Sequence, residues 1–182
     1  MNNIMIDIET MGNGSHAAII SIGAIYFDAT GTGRSFYKKV SLESSVSAGL
    51  EMDADTVLWW LKQSDAARKE FETKGDPVYF VLRRLSEFIN KDCTIWGNGA
   101  TFDNVILANA FQKFNMSVPW LFYNNRCFRT MKNLFPHIEI PKNEVKHNAL
   151  ADATWQAQYA VEVLKSLPDN KPLVSENILI KN

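Results

Sequence analysis

Hydrophobic and polar positions divide this chain into strands first and helices afterwards. Residues 2–8, apolar from Ile4 to Ile8 except at Asp7, read as a buried strand. Met11-Gly12-Asn13-Gly14-Ser15 then breaks it. Residues 18–27, rich in isoleucine, predict a second strand, 28–33 a turn, and 34–40 a third, more amphipathic strand. The opening is therefore an antiparallel meander. Residues 44–92 carry helical spacing. Asp53 or Asp55 caps a segment reaching Gln63, and Ser64 with Asp65 starts a second. Asp76, as N-cap with Pro77 in the first helical position, opens a third over 78–90, with Val78, Val81, Leu82, Leu85, Phe88 and Ile89 on one face. A short buried strand is predicted at 93–97, then a turn ending in Thr101 as N-cap of a helix over 102–115. Residues 116–146 read as irregular apart from a short helix at 129–135. Asn148 caps the last long helix, which runs to residue 167 before Pro168 stops it. A polar tail, 168–182, holds Leu173-Val174 and Ile178-Leu179-Ile180 and leaves open whether it packs or adds a strand. The order is that of an α/β domain over 1–167, a mixed sheet with three antiparallel strands first, parallel pairing after, and flanking helices.

Composition narrows the function classes. With 182 residues, 46% apolar and 21% charged, the chain is long enough to bury a core without disulfide or metal staples. Cys93 and Cys127 lack metal-type spacing, and their scarcity fits a reducing cytoplasm. No basic leader with an apolar run opens the sequence, and no apolar run approaches the roughly 20 residues a membrane span needs. A net charge of −1 argues against coating a duplex, though not against gripping a few nucleotides. The most basic stretch holds Arg126, Arg129, Lys132, Lys142 and Lys146, candidates for phosphate contact.

The chemistry starts at Asp7 and Glu9. Two residues apart on a strand, they share one face while Ile6 and Ile8 point into the core. Neighbouring carboxylates repel unless a cation or proton lies between them, and hard oxygen ligands suit Mg²⁺ or Mn²⁺. Asp103, in the first turn of its helix, and Asp152, one turn into the last, also fall at element ends that an α/β sheet can bring to one rim. Four acids at one spot call for divalent cations, and two ions about 4 Å apart clamp the attacking and leaving oxygens of a phosphoryl displacement. His147, just before the last helix, can take the proton of an attacking water. Ala149, Ala151, Ala153 and Ala157 allow that helix close to the sheet. Trp59 and Trp60, adjacent on a helix, cannot both face one core, so one packs and the other is left for a cleft rim or a partner surface. Gly12 to Ala17 fits the G-x-G-x-x-A dinucleotide fingerprint, but that motif needs a helix next, and Ile19-Ile20-Ser21-Ile22-Gly23-Ala24-Ile25 is a strand pattern.

The order Asp7-Ile8-Glu9-Thr10, then Thr101-Phe102-Asp103, then His147-x4-Asp152 resembles the DEDDh family of 3′–5′ exonucleases on the ribonuclease H-like fold. Asp7-Ile8-Glu9-Thr10-Met11-Gly12, Trp59-Trp60, Gln63-Ser64-x-x-Ala67-Arg68, Phe102-Asp103 and Arg126-x-x-Arg129-Thr130 are similar to the phage exonuclease A subfamily and its bacterial and prophage relatives. Relatives of that subgroup commonly place an acid where this chain has Cys127. The resemblance implies a metal-dependent hydrolase releasing nucleoside 5′-monophosphates from a free 3′ end. Asp7 would bridge two Mg²⁺ or Mn²⁺ ions, Glu9 and Asp152 would complete the site of the ion that activates water, Asp103 would serve the second ion through water, and His147 would be the general base. Thr10, Met11 and Gly12 would lie against the terminal nucleotide, Phe102 or Trp59 would stack on a base, and Arg129 would contact the substrate. Single-stranded DNA is favoured over RNA by the subfamily likeness. An exoribonuclease or oligoribonuclease, and a nucleic-acid-binding module without hydrolysis, are the alternatives. Related small exonucleases dimerise, so a homodimer is expected, though no stripe marks its face.

Overall fold

The computed structural model describes residues 1–99, 101–145 and 147–167. The expectations for the 168–182 tail, for Pro168 and for Lys146 lie outside the described residues. The first three strands are β1 (Asn3–Thr10), β2 (Ile19–Asp28) and β3 (Gly31–Lys39), joined as the predicted meander. Four helices follow, α1 (Leu42–Ser47), α2 (Ala54–Leu61), α3 (Asp65–Glu72) and α4 (Val78–Phe88). Strand β4 (Thr94–Gly97) leads into α5 (Asp103–Lys113). A single 3-10 turn, Phe122–Asn124, precedes β5 (Asn125–Cys127), α6 (Phe128–Leu134) and the long α7 (Ala149–Ser166).

The strands form one five-stranded mixed sheet in the order β3-β2-β1-β4-β5, antiparallel across β1–β3 and parallel at β4 and β5. With helices on both faces, this is the ribonuclease H-like α/β arrangement. Pleating separates two cores. Ile4, Ile6 and Ile8 of β1 join Ile20, Ile22 and Ala24 of β2 against Leu82 and Leu85 of α4 and Ile106 and Leu107 of α5. On the other face Met5, Ile25 and Phe27 pack against Phe128 of α6 and Ala153, Ala157 and Ala160 of α7.

Three details depart from the sequence reading. Strand β5 lies in the stretch read as irregular; three residues with an arginine and a cysteine carry no alternation, and the strand exists through its parallel ladder to β4. Asn125 is pinned there by two side-chain donors, Asn104 Nδ2 at 2.8 Å and Trp120 Nε1 at 2.9 Å. At the start of α4, Pro77 occupies the cap position itself, because Asp76 is taken up by a backbone bridge to Val40, and the Val78 amide donates to Ser44 Oγ instead. Helix α5 is capped by Phe102 without a side-chain bond, not by Thr101. By contrast Asp53, Ser64 and Asn148 all cap as expected, Asn148 accepting from the Ala151 amide. Among the described residues no helix is long and apolar enough to cross a membrane.

Candidate active site

The β1–β4 ladder pairs only Asn3, Ile4 and Met5 with Thr94, Ile95 and Trp96. Beyond Met5 the two strands part, and the gap opens at the rim that Asp7 and Glu9 reach. A cavity of about 340 Å³ lies there, lined by both acids together with Asp103, His147, Asp152 and Gln156. Asn98, Phe102, Arg129 and Trp155 also border it.

Strand register explains why the last helix can meet the first strand. Asp7 pairs with Gly23 of β2 and Glu9 with Ser21. A β-carbon on Gly23 would collide with the backbone of Ala149 and Leu150. The missing side chain thus lets the first turn of α7 lie directly on the sheet opposite Asp7. Ala149 and Ala153, both fully buried, keep the approach close. The result is a cluster in which carboxylate oxygens of Asp7, Glu9 and Asp152 all lie within 4.8 Å of one another.

Asp103 sits beside this trio in a different manner. It is only 2% exposed. Its carboxylate bridges the gap between the parted strands, accepting from the Ile8 amide at 3.2 Å and the Asn98 amide at 2.9 Å.

Charge follows from this packing. Burial pushes the Asp7 carboxyl well above the usual carboxylate range, and the charges of Asp103, Glu9 and Asp152 add to the push, while donation from Gln156 opposes it. Burial raises Asp103 to about 6 against its two backbone donors, and burial raises Asp152 against donation from Asn143 and His147. A divalent cation relieves that repulsion, and hard carboxylate oxygens at this spacing fit Mg²⁺ or Mn²⁺. The unfolded chain, with ordinary carboxyls, releases these protons at lower pH than the folded one. Stability in chelator should therefore fall as pH rises from about 4 through 6 and beyond, and added Mg²⁺ or Mn²⁺ should restore it most at neutral pH. Thermal melts across that interval, with and without metal, test this; a cation-induced rise in Tm no larger at pH 7 than at pH 5 contradicts it.

His147 is held by its backbone. Its φ of 59° is in the left-handed region, where histidine is found more readily than most residues. The His147 amide donates to Asp152 Oδ2 at 3.0 Å. Asn143 fixes the other carboxylate oxygen at 2.7 Å and accepts from the Val145 amide, so one side chain ties the acid to the segment before α7. The His147 ring stands edge-on to Trp59, with centroids 4.9 Å apart, and to Trp60 at 6.0 Å.

The remaining predicted contacts divide. Phe102 and Arg129 line the cleft, Arg129 donating to the Asn98 carbonyl at 2.8 Å. Arg126 turns away, towards the carbonyls of Tyr123 and Asn125. Trp60 is the tryptophan that packs, 1% exposed, with Nε1 on the Thr10 carbonyl at 2.9 Å; Trp59 is 42% exposed at the rim beside His147. Thr10 and Met11 point their side chains inward, Thr10 Oγ1 donating to the Gly12 carbonyl at 2.6 Å. Gly12 packs against the Glu51 carbonyl. None of these three lines the cavity. The strand after the Gly12–Ala17 loop is β2, so the dinucleotide fingerprint lacks its helix. Gln156 and Trp155 were missed by the sequence reading. The available signal was helical spacing: both lie three or four residues after Asp152, on its side of α7.

With this geometry in hand, comparisons with known proteins are informative. Residues 2–164 match the sequence profile of the family described as the 3′–5′ exoribonuclease Rv2179c-like domain. The "Exodeoxyribonuclease" of Enterobacteria phage T4 is 27% identical over 161 residues, covering 71% of this chain and 70% of that protein.

Proposed function

Because the chain belongs to the family of 3′–5′ exoribonuclease Rv2179c-like domains, and is by that membership a 3′–5′ exonuclease, we propose that its acidic cleft performs the hydrolysis by a DEDDh-type mechanism. The observation that carries this reading is the convergence of Asp7, Glu9 and Asp152 from two ends of the chain, with Asp103 and His147 on the same cavity. Asp7, Glu9 and Asp152 would hold the Mg²⁺ or Mn²⁺ ions, with Asp103 serving through water. When bound, the pair supplies charge stabilisation at the attacking and leaving oxygens of the phosphodiester.

The chain's own groups do the rest. His147 accepts the proton of the attacking water on an imidazole nitrogen and releases it to solvent. Its backbone is held by Asp152, and its ring is backed by Trp59 and Trp60 beside the cleft. Arg129 offers a guanidinium to a substrate phosphate from the opposite wall. Phe102 presents a ring on which the terminal base stacks. Each turnover releases a nucleoside 5′-monophosphate.

The substrate is proposed to be single-stranded DNA; DNA is the class that the name of the T4 relative carries. The family description favours RNA as the second reading. A paired digestion decides between them, using 5′-labelled DNA and RNA strands of one sequence with Mn²⁺ or Mg²⁺. The expected result is a ladder shortening from the 3′ end, absent in chelator and faster on DNA. Faster cleavage of RNA reverses the substrate assignment, and no shortening of either strand rejects the assignment of the cleft.

A further inference from the structure

We infer that Gln156 is a positioning residue for the acidic cluster, holding Asp7 in its ligating orientation. The inference rests on the reading of Asp7, Glu9 and Asp152 as metal ligands. Gln156 lies one helical turn after Asp152 on α7, so the two flank Asp7 from the same face. Its Nε2 donates to Asp7 Oδ1 at 2.8 Å. A carboxylate can only accept, so the amide orientation follows from the partner. With Oδ1 fixed by Gln156, the carboxylate cannot rotate freely, and Oδ2 stays available to the cluster.

The other end of the amide is the unusual part. Gln156 is 3% exposed, yet its Oε1 has no hydrogen-bond partner among the described residues. It borders the cavity that the acids line. Burying an acceptor with no donor is unfavourable, and such groups in native proteins usually point to a water, ion or ligand. An ionised carboxylate only accepts, so in that state none of the acids satisfies Oε1. The unpartnered Oε1 follows from turning Nε2 to Asp7, since the reverse orientation would set one oxygen acceptor against another. The helix face around Gln156 is built from Ala149, Ala153, Ala157 and Ala160, so an apolar side chain would suit packing alone. A glutamine is required only if its amide serves the cleft.

The test is Mn²⁺ binding to the whole chain by calorimetry or by the loss of the free-ion EPR signal, which needs no turnover. Gln156→Met keeps the length of the side chain and removes both amide functions. It should weaken Mn²⁺ binding about tenfold or more and lower kcat by a similar factor, with KM for a short oligonucleotide nearly unchanged. Gln156→Asn, too short to reach Asp7, should move both in the same direction and keeps the test open if the Met variant fails to fold. A folded variant with unchanged Mn²⁺ affinity and kcat overturns the role of Gln156 while leaving the metal reading intact. Failure of the unsubstituted protein to bind Mn²⁺ overturns that reading and this inference together.

Discussion

Replacing Asp7 by asparagine is expected to reduce 3′–5′ hydrolysis by roughly 10³-fold or more, a loss of about 4 kcal/mol of transition-state stabilisation. The shape of the side chain is retained, and Gln156 Nε2 can still donate to the amide oxygen. What disappears is the charge on which two cations would converge. The same substitution should leave Tm in chelator unchanged or higher at neutral pH. The carboxyl is held above its usual range by burial and by three neighbouring acids, so neutralising it relieves strain in the metal-free protein. Activity assays and thermal melts on one preparation check both halves. Hydrolysis within tenfold of the unsubstituted protein would remove the cluster from the reaction, and a lower Tm in chelator would contradict the electrostatic account.

The second large effect concerns a residue that touches no substrate. Gly23→Ala places a β-carbon where the backbone of Ala149 and Leu150 already lies. Backbone on both sides cannot yield as a flexible side chain would, so α7 must lift from β2. Overpacking of this kind costs about 3 kcal/mol, which for a chain of this size lowers Tm by roughly 6–12 °C. The lifted helix carries Asp152 and the anchor of His147 with it, so activity should fall more steeply than stability. Melting temperature and hydrolysis rate below the transition measure the two separately. A variant with ordinary stability and rate would mean that the α7–β2 contact does not set the cluster.

Much of this arrangement was legible because the acids occupy positions with local signatures. Asp7 and Glu9 sit on a strand whose alternation fixes their shared face, and Asn148 announces the helix that carries Asp152. The role of Asp103 was only half legible. Its place in a first turn is a sequence property, but its bonds to the Ile8 and Asn98 amides depend on two strands parting in space. Strand β5 was invisible for a similar reason, since its pairing and its Asn104 and Trp120 anchors come from residues outside it. Gln156 left a spacing signal, but glutamine on an alanine-rich helix reads as ordinary solvated surface until its burial is seen. Arg126 and Arg129, three apart, looked equivalent; β5 runs into α6 between them, and only Arg129 reaches the cleft.

The pairing of β1 with α7 also has a consequence for biosynthesis. Among the described residues β1 is made first and α7 last, and the trio of carboxylates exists only once the two have met. Contacts so distant along the chain form late, after the intervening elements have ordered. A nascent chain, or one whose final helix has transiently undocked, holds Asp7 and Glu9 on a strand with no third carboxylate across from them. If the trio holds the catalytic metal as proposed, hydrolysis waits until α7 has been made and has docked on β1 and β2.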